Sequence, residues 1–287
     1  MPIAVNGQVS LYYEVFGDAS NPALVLINGL GSQCINYEAE WCERFAVAGF
    51  FVVRFDNRDV GLSTHLGPGA DRSVADPPEA VYTLADMADD VVAVLDALGI
   101  DRAHVVGLSL GGMIAQQLAI DHADRVATLT SVMSTTGEPD VGQASPEALA
   151  TLTAPSPRDR DEAIARHLQG LRTWGSPAHL DEERAAERAG AAFDRAFDPA
   201  GQTRQFLAVA ASPSRAEGLR LVKAPTLVLH GDCDTLINPS GGRRTAELIP
   251  GARFVLIEGM GHDYPPAYWD QWVSLIATHA LVAPPEA

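Results

Sequence analysis

A mostly parallel α/β sheet with helices on both faces is the class this sequence predicts, and three observations predict it. Short apolar runs rich in β-branched residues alternate along the chain with amphipathic segments of helical period. The run Ala23-Leu24-Val25-Leu26-Ile27 is apolar at every position, the pattern of a strand buried on both faces. The alternation breaks once, between about 137 and 222, in a proline-punctuated stretch with no β-like run.

The elements follow in order. A first strand spans 11–17 and leads through a turn at 18–22 into the apolar strand 23–27, which ends at Asn28-Gly29-Leu30-Gly31. A helix over 37–48 precedes a strand at 50–56, which runs into the loop 57–63. The stretch 84–98 is an amphipathic helix: Met87, Val91, Val94, Leu95 and Leu98 recur at helical spacing, with Asp86, Asp89, Asp90 and Asp96 between them. Gly99 stops it. Ala103-His104-Val105-Val106 is a strand, 112–119 continues as a helix, and 126–133 is the next strand. Within 137–222, helical segments such as 158–171 and 180–197 lie between Pro139, Pro146, Pro155, Pro157, Pro177, Pro199 and Pro213. Strand 225–230, helix 243–248, strand 252–257 and a last helix over 266–279 complete the chain. This order predicts a core domain of 1–136 and 223–287, interrupted by a helical cap at 137–222.

Composition narrows the function. Hydrophobic residues make up 47% of 287, enough for a large core, while a formal charge of −17 argues against nucleic acid or an anionic membrane as partner. No apolar run approaches the ~20 residues of a membrane helix, and the first residues lack the basic and apolar regions of a secretory signal. Cys34, Cys42 and Cys233 are odd in number and scattered, which reads as reduced thiols in a cytoplasmic protein. No dinucleotide fingerprint follows the first strand, and no paired-histidine or paired-cysteine spacing suggests a metal, so no cofactor is expected. No heptad announces an oligomer.

Chemistry concentrates at Gly107-Leu108-Ser109-Leu110-Gly111, where a strand meets a helix. Glycines on both sides allow a turn too tight for side chains, which lifts the Ser109 hydroxyl out of the sheet. A serine needs a base to take its proton and an acid to orient that base. Two later strand ends offer them: His230-Gly231-Asp232-Cys233-Asp234, and Glu258-Gly259-Met260-Gly261-His262. The C-terminal ends of parallel strands share one edge, where ligands bind. His262 is set apart from the other seven histidines by a late strand end and flanking glycines, whereas Asp232 and Asp234 both remain candidates for the acid. The backbone N–H of Leu110, at a helix start, suits a developing oxyanion.

These residues, in the order Ser…Asp…His, resemble the α/β-hydrolase superfamily over nearly the whole chain. The segments Asn57-Arg58-Asp59-Val60-Gly61-Leu62-Ser63, Asp101 to Ser109, the Ser-Pro-Ser-Arg run from Ser212 and Gly259-Met260-Gly261-His262 look most like serine esterases related to aclacinomycin methylesterase and the macrolide-ring esterases. The resemblance implies an eight-stranded, mostly parallel sheet with a helical cap. Its Gly-x-x-Asp spacing, with Pro239 following, selects Asp234 over Asp232. It also implies a second oxyanion donor at the Leu30 N–H, where relatives carry His-Gly and this chain has Asn28-Gly29. The expected activity is cofactor-free hydrolysis of a small-molecule ester or lactone, bulky and hydrophobic, through an acyl-enzyme on Ser109. Carbon–carbon bond hydrolysis, perhydrolysis and non-catalytic ligand binding are the other outcomes this fold allows. Trp174, Phe193, Phe197 and Phe206 stand at helical spacing and read more readily as packing within the insertion than as ligand contacts.

Overall fold

The computed structural model describes residues 1–67 and 80–282. Residues 68–79 and 283–287, which the predicted core domain includes, lie outside the described residues. Eight strands form one sheet: β1 (Ile3–Asn6), β2 (Val9–Phe16), β3 (Ala23–Ile27), β4 (Phe51–Phe55), β5 (Ala103–Leu108), β6 (Val126–Val132), β7 (Thr226–Gly231) and β8 (Arg253–Ile257). Their order across the sheet is β1-β2-β4-β3-β5-β6-β7-β8. The β1–β2 and β2–β4 pairs are antiparallel, and the others are parallel. β1 has no counterpart in the sequence reading. Four residues are too few for alternation to stand out, and its hairpin to β2 rests on Gly7, at φ 58°.

The predicted sandwich of helix, sheet and helix is present, and β3 shows why. It lies between β4 and β5, and its side chains divide between two cores. Val25 and Ile27 pack with Met87, Val91, Val94 and Leu95 of α2 (Leu84–Ala97) and with Ile114 and Leu118 of α3 (Leu110–Asp121). Leu24 and Leu26 face the other way, onto Trp41 and Phe45 of α1 (Ala39–Val47) and Trp269, Trp272 and Ile276 of α10 (Trp269–Val282). Each fully buried aliphatic side chain contributes about 1.5–3 kcal/mol, which makes this pattern decisive for the strand's position. Helix α2 starts where the Asp86 carboxylate accepts from the Thr83 N–H at 2.8 Å, and it gives way to Gly99 at φ 66°.

Between β6 and β7 come α4 (Pro146–Leu152), α5 (Arg160–Trp174), α6 (Glu182–Arg195), α7 (Pro199–Ala211) and α8 (Ala216–Leu219). Only α5 and α6 match helices read individually from the sequence. Pro146 and Pro199 look like breakers there, yet each sits at the first helical position, where its missing N–H costs nothing. The side chains of Ser145, Asp159, Asp181 and Asp198 cap α4 to α7, each accepting a backbone N–H of the first turn. After this excursion β7 and β8 extend the sheet, and α9 (Ser240–Leu248) packs on β7.

Candidate active site

Ser109 joins β5 to α3 with φ 56° and ψ −117°, a backbone conformation that costs a non-glycine residue about 1–3 kcal/mol. The strain falls on the serine, and its glycines serve close approach instead. A Cβ on Gly107 would stand 2.0 Å from Gly111 O, and one on Gly111 would stand 1.9 Å from Ile27 O. Helix α3 can therefore press onto β3 and β5 only without those side chains. The turn is held by Ser109 N–H donating to Val132 O at 2.9 Å and by the Ser134 hydroxyl donating to Ser109 O at 2.8 Å.

The structure brings three predicted residues together at the strand ends. His262 Nε2 lies 2.9 Å from Ser109 Oγ, and His262 Nδ1 lies 2.7 Å from Asp234 Oδ2. The other Asp234 oxygen accepts the N–H groups of Leu236 and Ile237, both at 2.9 Å. Burial alone would push the Asp234 carboxyl up; the charge and hydrogen bonds of His262 and His230 outweigh it and hold it down at about 2. Asp232 points elsewhere and accepts the Gly259 N–H at 2.7 Å, bracing the turn before His262. His230, read from sequence as a bland strand residue, stands against the acid: its Nε2 is 2.7 Å from Ile237 O and 3.3 Å from Asp234 Oδ2. Its position at the end of β7, four residues before Asp234, is the only signal the sequence carries.

Leu110 opens α3 directly after Ser109, and the first N–H groups of a helix have no partner within it. Leu30 lies in the loop after β3, beside Gly29, whose Cα is close enough that a Cβ would stand 3.4 Å from Ser109 Cβ. Asn28 is buried, and its side-chain nitrogen has no partner among the described residues. The loop is braced through other residues. Asn57 Nδ2 donates to Asn28 O at 3.1 Å, and Gly31 N–H donates to Gln205 Oε1 at 2.8 Å. Gln205, on α7, donates back to Arg58 O at 2.8 Å, so the insertion and the core share the hold on this loop.

Over Ser109 lies a cavity of about 590 Å³, walled by strand-end loops below and by α5, α6 and α7 above. Trp174, Phe193, Phe197 and Phe206 all line it, and Phe193 and Phe197 also pack on each other within the insertion, ring centroids 4.4 Å apart. Helical spacing could not tell an inward wall from an inward core. Asp59, His65 and Asp198, which also line the cavity, form a cluster of metal-ligand residue types. The Arg204 guanidinium already bonds both carboxylates, at 2.8 and 2.6 Å, and supplies the positive charge they need.

Comparison with known proteins agrees with this fold. The family model described as alpha/beta hydrolase fold matches residues 22–264. The chain belongs to the α/β-hydrolase family. Among curated relatives, rhodomycin D methylesterase of Streptomyces peucetius is 32% identical, over 97% of this chain and 97% of its own. A putative carbamate hydrolase of Variovorax paradoxus is also 32% identical, over 88% of this chain and 90% of its own. Among solved structures, the enol-lactonase from Burkholderia xenovorans LB400 superposes with a TM-score of 0.77 at 25% identity, covering 98% of this chain and all of its own. As an α/β-hydrolase, the chain is a hydrolytic enzyme built on the predicted fold. No helix among its described residues is long and apolar enough to cross a membrane.

Proposed function

We propose that this α/β-hydrolase is a serine carboxylic-ester hydrolase working through an acyl-enzyme. The observation that carries the reading is the continuous relay from Ser109 Oγ through the His262 ring to Asp234, with links of 2.9 and 2.7 Å. His262 takes the Ser109 proton as Oγ attacks the ester carbonyl. The N–H groups of Leu30 and Leu110 hold the oxyanion. The tetrahedral intermediate collapses, and His262 gives its proton to the leaving alcohol. It then deprotonates a water that attacks the acyl-enzyme, which releases the acid and restores Ser109. Asp234, ionised throughout, fixes the imidazole tautomer and stabilises its cation.

The substrate we infer is a bulky hydrophobic ester or lactone of polyketide or macrolide type. The cavity volume and its aromatic wall support that size, and a methylesterase and an enol-lactonase are among the relatives. Residues 137–222 act in this reading as a cap over a core of 1–136 and 223–287. Three free cysteines accord with a cytoplasmic setting. Ser109→Ala is expected to lower p-nitrophenyl ester turnover by about a thousandfold or more and to abolish labelling by a fluorophosphonate probe. Undiminished turnover by the purified variant would overturn the assignment. For the substrate class, macrolides and anthracycline methyl esters are incubated with the enzyme and followed by mass spectrometry. Neither ring opening nor loss of the alcohol in any of them would reject it.

A further inference from the structure

The loop that carries His262 does not hang from β8 alone. His262 N–H donates to Trp174 O at 2.6 Å, and Gly261 N–H donates to Ser176 Oγ at 2.9 Å. The Ser176 hydroxyl donates in turn to Asp263 Oδ1, and Ser176 N–H donates to the same oxygen at 3.0 Å. The loop of Asp234 is tied to the same place, since the Thr235 hydroxyl donates to Thr173 O at 3.0 Å. Thr173 and Trp174 end α5, and the last carbonyls of a helix have no partner within it. One helix end thus accepts a bond from each of the two loops. The backbones meet closely: a Cβ on Gly261 would stand 2.3 Å from Trp174 O. Ser176, the link in the middle, is fully buried.

Charge and shape act in the same direction. His262 becomes a cation during attack, and the C-terminal end of a helix favours a nearby cation. The Asp263 carboxylate adds a second negative group on that side, while Asp234 faces the ring from β7 with His230 behind it. Helix α5 also supplies cavity wall through His167, Gly170, Leu171 and Trp174. A ligand pressed against α5 therefore bears on the element that seats both loops.

We propose that the C-terminal turn of α5, with Ser176 and Asp263, is a positioning device for the Asp234–His262 pair, one that holds His262 in line with Ser109. The proposal rests on the ester-hydrolase reading above. Ser176 and Asp263 are positioning residues and touch no reacting atom.

The test uses the full chain, p-nitrophenyl butyrate and a fluorophosphonate probe. Ser176→Ala is expected to lower kcat about 10- to 100-fold with KM within about twofold, because a small misplacement of the base is costly. Probe labelling of Ser109 slows by a similar factor. Asp263→Asn, nearly isosteric, removes one negative neighbour of the imidazolium and moves the acid limb of kcat/KM down by about 0.5 pH unit. Thr235→Val lowers kcat less, since it breaks one bond only, and both milder variants report if Ser176→Ala fails to fold. Wild-type kcat in the folded variants, or a fall matched by an equal rise in KM, overturns the positioning role while the hydrolase reading stands. A wild-type chain that neither turns over the ester nor takes the probe overturns both.

Discussion

Helices α3 and α5 differ in what holds them. In α3, nine of its twelve residues are buried, and they lie against β3, β5 and β6. In α5, fifteen residues long, only Gly170 is buried. The segment around α5 relies on side-chain caps and charge pairs: Arg160 with Asp194, Arg172 with Glu182, and Arg184 with Glu38 across to the core. Exposed ion pairs contribute about 0–1 kcal/mol each, whereas buried aliphatic and aromatic side chains contribute several times more. The lesson is a division of labour. Apolar packing fixes the sheet and the strand ends that present Ser109, Asp234 and His262, while around α5 polar contacts take a larger share in holding the roof over them.

The largest expected effect tests the apolar half. Trp272→Ala empties a fully buried site on α10 and should cost about 3–5 kcal/mol, lowering Tm by about 10 °C in a thermal melt. A fall of under 3 °C would mean that packing under the sheet is not what carries the core. Next comes the buried charge at the strand ends. Asp234 is held down from its ordinary 3.8 to about 2, so its folded pKa lies below the unfolded one. Its contribution, roughly 2 kcal/mol, is present above pH 4 and lost as the pH falls toward 2. The difference in Tm between wild type and Asp234→Asn should therefore shrink between pH 5 and 2; a constant difference would show that this carboxylate is not linked to stability. The smallest effect tests the roof. Arg184→Met should cost under about 1 kcal/mol in global stability. It should nonetheless speed proteolytic cutting within 146–211, as should raised salt in the wild type. Cutting that is indifferent to both would make the roof as tightly packed as the core.

The same contrast explains what was legible in advance. Strand β3 stood out because burial on both faces leaves a continuous apolar run, and α2 because its apolar stripe and Gly99 mark period and end. β1 was too short to register, and α4 and α7 hid behind prolines that start helices as readily as they break them. Ser109, Asp234 and His262 could be picked out because strand ends converge on one edge of a parallel sheet. Gln205, Ser176 and Asp263 carried no comparable signal. Each acts through hydrogen bonds to segments more than 80 residues away, and no local pattern encodes that distance.

Residue order and hydrophobic period alone settle the α/β class, the helical stretch between β6 and β7 and the serine at the β5–α3 junction, because these depend on local conformation and on which faces must leave water. Three things are decided only when the chain closes on itself. Asp234, not Asp232, reaches His262; the four aromatic residues of the insertion turn to the cavity; and the end of α5 takes hold of both strand-end loops. Each depends on distances between segments far apart in sequence, set by how the roof lies across the sheet.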